Sequence, residues 1–252
     1  MKKYKSFIEK NIIPILLNQK IIGSLFIFII LIISIQKIST GDPLERIQIY
    51  NHAVNQLIQI KRNIFTGSGI DNYLSSPSFL LIYYPLSILP LFLSAIIWNL
   101  LSAVLLVLGI NLLKIQNWQK TAIYCIIFFE SIISFQNFQS NVLIAALCLL
   151  IFAFLENNNY FWAALCASLV LFIKLFGVGF AILILFYKRK TWFLFLLLIC
   201  TIVILILPLI YSGFNINYFI TLYADWPQAI ATRHPMPQWL SLPGSLNSEL
   251  LT

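Results

Sequence analysis

Residues 168–186 read SLVLFIKLFGVGFAILILF, a stretch with a single charge, Lys174, among long apolar side chains. A lysine at the centre of a membrane helix costs about 2.5–3.5 kcal/mol on insertion scales. Either the stretch breaks near Lys174, or the ammonium faces a polar cavity inside a bundle. The rest of the chain has to decide between them.

The class follows from composition. Of 252 residues, 60% are hydrophobic and 10% charged, whereas soluble domains are nearer half apolar and a quarter charged. Apolar runs cover residues 21–37, 79–113, 121–134, 141–155, 160–187 and 191–211. The expectation is an all-α polytopic membrane protein, because a span leaves no backbone polar group unpaired in lipid. The formal charge of +8 fits this class better than nucleic-acid binding. Lys2, Lys3, Lys5, Lys10 and Lys20 precede the first run, and Lys188, Arg189 and Lys190 separate two later ones. That is the pattern of cytoplasmic ends. Residues 1–20 then form a basic cytoplasmic N-terminus, and 21–37 reads as a retained anchor rather than a cleaved signal.

Parity constrains the crossings. With the N-terminus and YKRK (187–190) on one side, an even number of spans lies between them. Five runs precede YKRK, so one long run counts twice. Folding 160–187 back near Lys174 and Gly177 puts Lys114 and Lys120 inside. It gathers the loop starting at residue 38, SFQNFQSN (134–141) and Lys174 outside. Pro77 to Pro90 then forms a short dipping helix before a span from Leu91 to Leu113, since Pro85 and Pro90 interrupt that run. The total is about seven crossings in a single membrane domain over 1–252, with extracytoplasmic segments at 38–76 and 212–252.

The first outer loop carries GDPLERIQIYNHAVNQLIQIKRNIF (41–65). Ile47, Tyr50, Val54, Leu57 and Ile58 recur at helical spacing, which predicts an amphipathic helix on the membrane interface. Asp42 stands just before it, either as a cap or as a reactive carboxylate. Gln136, Asn137, Gln139, Ser140 and Asn141 lie between two apolar runs, suited to capping a helix or to holding a sugar or phosphate. Glu130 sits inside the preceding run and is expected to pair with another polar group. Cys125, Cys148, Cys166 and Cys200 lack metal-site spacing and read as packing residues. No carboxylate cluster marks a metal site, and no cofactor is expected.

STGD (39–42), NIF (63–65), SSPSFLLIYYPLSILP (75–90), IIWNLL (96–101), QNFQSNVLIAALCLLIFAFLE (136–156), LFIKLFG (171–177) and LYADW (222–226) together resemble glycosyltransferase family 87, in wording closest to its Bacteroidetes-type members. The resemblance covers about residues 41–226. It implies a GT-C-like helical bundle in a bacterial inner membrane. It also implies transfer of a sugar, typically mannose, from a polyprenyl-phosphate donor to a lipid or glycan acceptor on the outer face. The family's Gln-x-Asn element corresponds to Gln139 and Asn141, and its lysine to Lys174. Its acidic base corresponds to Asp42, with Glu45 a rival because DPLERIQIY lengthens the usual spacing. An inverting transfer needs a carboxylate to take the acceptor's proton and a cation to receive the leaving phosphate. Lys174, with Arg46 or Arg233 assisting, suits the second role. Family members continue through further helices, so the chain reads as a shortened member. A transporter or flippase, or an inactive scaffold, is the alternative.

Overall fold

The computed structural model describes residues 18–60, 63–65, 72–174, 179, 187 and 189–233. Among them the chain is helical with no strand. Helix α1 (Gln19–Ser39) starts at Asn18, whose side chain accepts from the Lys20 and Ile21 N–H groups, satisfying donors every helix start leaves open. Then follow α2 (Glu45–Asn55), running on as a π-helical turn over Gln56–Ile60, α3 (Pro77–Ser87), α4 (Leu91–Leu112), α5 (Asn117–Gln136), α6 (Asn141–Glu156), α7 (Tyr160–Ile173), α8 (Lys190–Tyr211) and α9 (Ile216–Arg233). Ser76 caps α3 and Pro77 occupies its first turn. Pro90 separates α3 from α4, so the interrupted run is a short helix followed by a long one, whereas Pro85 lies inside α3 and does not break it.

Among the described residues three helices, α1, α4 and α8, are long and apolar enough to cross a membrane, and α6 and α7 are shorter apolar helices. Rows of exposed side chains such as Leu25, Phe28 and Ile32 on α1, and Leu198, Ile202 and Val203 on α8, make the outer surface of the bundle apolar. Water would penalise such a surface; hydrocarbon does not.

Helix α4 is central, packed against α1 on one side and α6 on the other. The approach is close because the contacts are small: a Cβ on Gly109 would lie 3.1 Å from Leu149 Cβ, and one on Gly23 would lie 2.8 Å from Val107 Cγ1. Small residues let membrane helices approach without a hydrophobic driving force. From α6 the layer continues through α7 to α8, while α5 leans on α1 and barely touches α4 or α6.

Polar ties fix the directions. Gln19 donates to Asn117 O at 2.9 Å, joining the starts of α1 and α5. The Lys114 ammonium donates to Glu156 O at 2.7 Å, joining the ends of α4 and α6. Asn99 donates to Ser34 Oγ at 2.9 Å and to Phe135 O at 3.0 Å, tying three helices near the opposite end. One end of the bundle therefore carries Lys20, Lys114, Lys120, Arg189 and Lys190. The other carries Asp42, the 136–141 turn and Lys174. The starts of α7 and α8 meet at the first end, and Ser168 contacts Leu197 O and Thr201 further along, so the two helices run side by side in the same direction. Residues 1–17, 61–62, 66–71, 175–178, 180–186, 188 and 234–252 lie outside the described residues, and with them the expected fold-back near Lys174 and Gly177 and the N-terminal and C-terminal expectations.

Two expectations need correction. The apolar face of α2 is covered by protein rather than by lipid: Ile47, Ile49, Tyr50, Ala53, Val54 and Leu57 are all buried, against α3 and α4. Glu130 forms no hydrogen bond or ion pair among the described residues and is exposed on α5. Periodicity marks which face of α2 is apolar but does not say whether lipid or protein covers it.

Candidate active site at the polar end

Under the polar end lies a knot of aromatic rings. Tyr50 of α2 meets Phe79 and Tyr83 of α3 at centroid distances of 5.5 and 5.0 Å, and Trp98 of α4 at 5.8 Å, all edge to face. Such pairs add about 0.5–1.5 kcal/mol each beyond burial. The Trp98 indole N–H donates to Phe138 O at 3.2 Å, so the knot also pins the turn between α5 and α6. Phe138 is held at φ 49° and Leu44, at the start of α2, at φ 53°. Left-handed backbone at bulky residues costs about 1–3 kcal/mol and persists where surrounding packing dictates it. Both residues are buried, and both flank the same hollow.

That hollow has two adjoining parts. The larger, about 520 Å³, has Tyr50 and Tyr73 in its floor and Arg46, Gln139, Asn141 and Lys174 in its wall. The smaller, about 290 Å³, holds Asp42, Glu45 and the 136–139 turn. Arg46, Ile49 and Gln139 line both. Asp42, Glu45, Arg46, Gln139, Asn141 and Lys174 thus line two adjoining spaces with a shared wall. They come from the α1–α2 loop, the start of α2, the α5–α6 turn, the start of α6 and the end of α7.

The larger part contains a short relay. The Lys174 ammonium donates to Asn141 Oδ1 at 2.7 Å, and Asn141 Nδ2 donates to Gln139 Oε1 at 2.8 Å. Asn141 is therefore not spent on capping: Ser140 precedes α6 with no side-chain cap bond. Lys174 ends α7 in an extended conformation, which brings its ammonium to the rim rather than into lipid. Burial, and then repulsion from Arg46, hold its pKa below the ordinary lysine value. Two cations thus face each other, and no carboxylate is among the described lining residues. An anion there relieves the repulsion and receives charge-assisted hydrogen bonds.

The smaller part has the opposite character. Lys37, at the end of α1, reaches Asp42 Oδ2 at 2.7 Å, and the Leu44 N–H donates to Asp42 Oδ1 at 2.9 Å. Partial burial pushes the Asp42 carboxyl up, but the Lys37 hydrogen bond, the Leu44 N–H and the Lys37 charge together hold it below the usual value. Asp42 is therefore ionised at neutral pH and turned by its partners toward the cavity. It caps nothing beyond the Leu44 N–H. Glu45 begins α2 beside it without a partner of this kind.

Helix α9 covers one side of the larger part. The Trp226 indole donates to Leu74 O at 2.9 Å and lines the cavity. Asp225 instead accepts from Asn63 at 3.0 Å and is not in the wall. The Arg233 side chain and residues 234–252 lie outside the described residues. Lys37, Tyr50 and Tyr73 escaped the sequence reading as site residues. Only Lys37 left a signal, a lysine five residues before Asp42 across a glycine-containing turn.

Among the described residues, then, an all-helical bundle holds a hollow with Arg46 and Lys174 on one side and the ionised Asp42 on the other. The model of glycosyltransferase family 87 matches residues 73–251, well over half of the chain, and the chain belongs to that family. Gln139, Asn141, Lys174 and Trp226 fall within the match, whereas Asp42, Glu45 and Arg46 precede it. No curated protein and no solved structure matches the chain.

Proposed function

We propose that this chain is a membrane glycosyltransferase that moves a hexose, mannose by family resemblance, from a polyprenyl-phosphate donor to a lipid or glycan acceptor. The supporting observation is the separation of charge across two adjoining parts of one hollow: Arg46 and Lys174 on one side, Asp42 with Glu45 on the other. The donor phosphate sits between Arg46 and Lys174, with Asn141 and Gln139 orienting it or the sugar. The acceptor hydroxyl approaches from the Asp42 side. Its oxygen attacks the anomeric carbon, its proton passes to the Asp42 carboxylate, and the bond from that carbon to the phosphate oxygen breaks. Negative charge growing on the leaving phosphate meets the two cations. Glu45 is the rival base; the hydrogen bonds that orient Asp42 favour Asp42.

The bundle in this reading is of the GT-C type with about seven crossings. The end bearing Lys20, Lys114, Lys120, Arg189 and Lys190 is cytoplasmic by the positive-inside rule. The hollow and residues 38–76 and 212–252 then face outward from a bacterial inner membrane. The test is transfer from a radiolabelled polyprenyl-phosphate mannose in membranes containing the chain, with Asp42→Asn as control. Transfer that depends on Asp42 supports the reading. Substrate flux across proteoliposomes, without transfer and indifferent to Asp42→Asn, moves the assignment to a transporter.

A further inference from the structure

Because α5 leans on α1 and away from α6, a groove opens between α5 and α6 with Leu106 of α4 at its back. It encloses about 630 Å³. From Ile123 to Ser134 it runs about 17 Å along α5, at 1.5 Å per residue. Its two ends differ in chemistry. Ile123, Ile126, Ile127, Leu149 and Phe152 make the lower part apolar, while Glu130, Ser131, Ser134 and Asn141 bring polar groups to the upper part. Asn141 also lines the larger part of the candidate active site, so the groove opens beside it.

Two observations narrow the occupant. Ser134 is 3% exposed, and its hydroxyl finds no hydrogen-bond partner, although a buried hydroxyl left alone is costly. Glu130 is the one charged group in the described lining, and no cation accompanies it. An anionic head would be repelled, and a bare hydrocarbon chain would leave both groups unanswered. A head rich in hydroxyls donates to Glu130 and Ser134 while its chains fill the apolar part. Phosphate chemistry belongs instead to Arg46 and Lys174, on the other side of Asn141.

We infer that the groove between α5 and α6 binds an uncharged, polyhydroxylated glycolipid, entering sideways from the bilayer with its head toward the 136–141 turn. Taken with the proposed transfer reaction, on which this second step rests, that lipid is the acceptor. Donor and acceptor then reach the site from different sides of the α5–α6 turn, the acceptor's terminal hydroxyl arriving near Asp42 and the donor's phosphate at Lys174.

The experiment uses the full chain in phosphatidylcholine nanodiscs with a glucosyl diacylglycerol carrying a diazirine in its acyl chain. Phosphatidylglycerol with the same diazirine chain serves as comparison, and crosslinked peptides are mapped by mass spectrometry. The expected result is several-fold stronger labelling of α5 and α6 by the glycolipid. Ala145→Trp, which fills the groove from α6, removes that labelling. Glu130→Lys, at an exposed position that packing does not constrain, reverses the preference toward phosphatidylglycerol. Equal labelling by the two lipids, labelling elsewhere on the bundle, or a preference unmoved by Glu130→Lys overturns the inference. Groove labelling in a protein that transfers no sugar upholds the lipid site and sinks the transfer reaction instead.

Discussion

The two parts of the hollow share a wall yet are built on opposite principles. Around Lys174 a second cation, Arg46, shares the wall and the two repel each other, so an anion held between them eases that repulsion. Around Asp42 each oxygen has a partner, Lys37 and the Leu44 N–H, so the charge is already balanced and its orientation fixed. A leaving phosphate brings its own negative charge and is received best where positive charges stand close together. A base must hold its charge before the substrate arrives, and therefore needs support in advance. Arg46, in the wall between, is placed to respond to both.

That comparison can be broken most sharply at Asp42. Asp42→Asn removes the proton acceptor while its amide oxygen still accepts from Leu44, so transfer falls by about 10²–10⁴, the range of a lost general base. Glu45→Gln, measured alongside at matched protein level, leaves transfer within the same order of magnitude. The reverse ranking would move the base to Glu45. Next comes the cationic side. Lys174→Met lowers kcat/KM by about 10²–10³, the usual cost of losing one stabilising donor at a charge-developing atom, and Lys174→Arg recovers part of it. Smaller still is Asn141→Ala. It releases the ammonium from a charge-assisted hydrogen bond worth about 1.5–3 kcal/mol, and it costs more than Gln139→Ala, which lies one bond further along the relay.

Lys37→Met has the smallest effect on the maximal rate and the clearest signature in pH. Lys37 helps hold the Asp42 carboxyl below its usual value, so the folded protein keeps the carboxylate to lower pH than a free aspartate. Activity that needs the carboxylate is present above that pKa and lost as pH falls through it. Without Lys37 the pKa rises, and the acid limb of the kcat/KM profile moves to higher pH. An unmoved limb would mean that Lys37 only braces the loop.

How much of this was legible in the sequence differs from element to element. The proline break between α3 and α4 was readable because proline lacks an amide donor and clashes with the preceding turn. The meeting of Gln139, Asn141 and Lys174 was readable through family resemblance and parity, not through any local pattern: 33 residues separate Asn141 from Lys174. The depth of α2 was not readable, because Ile47, Tyr50 and Val54 make the same stripe whether lipid or α3 covers it. The knot of Tyr50, Phe79, Tyr83 and Trp98 joins three helices, and no one of their segments records the others. Glu130 misled for the opposite reason. A charge in an apolar run promises a partner, and its neighbours here are a groove and an unpaired serine.

The central claim is that binding the phosphate and accepting the proton are separate tasks on the two sides of one hollow. It is tested most directly by measuring donor affinity and transfer rate in the same nanodisc preparation for the native chain, Asp42→Asn and Lys174→Met. The account predicts that Asp42→Asn binds polyprenyl-phosphate mannose as the native chain does yet transfers almost none, while Lys174→Met loses binding and transfer together. Native-level transfer by Asp42→Asn, or undiminished donor binding and transfer by Lys174→Met, would contradict it.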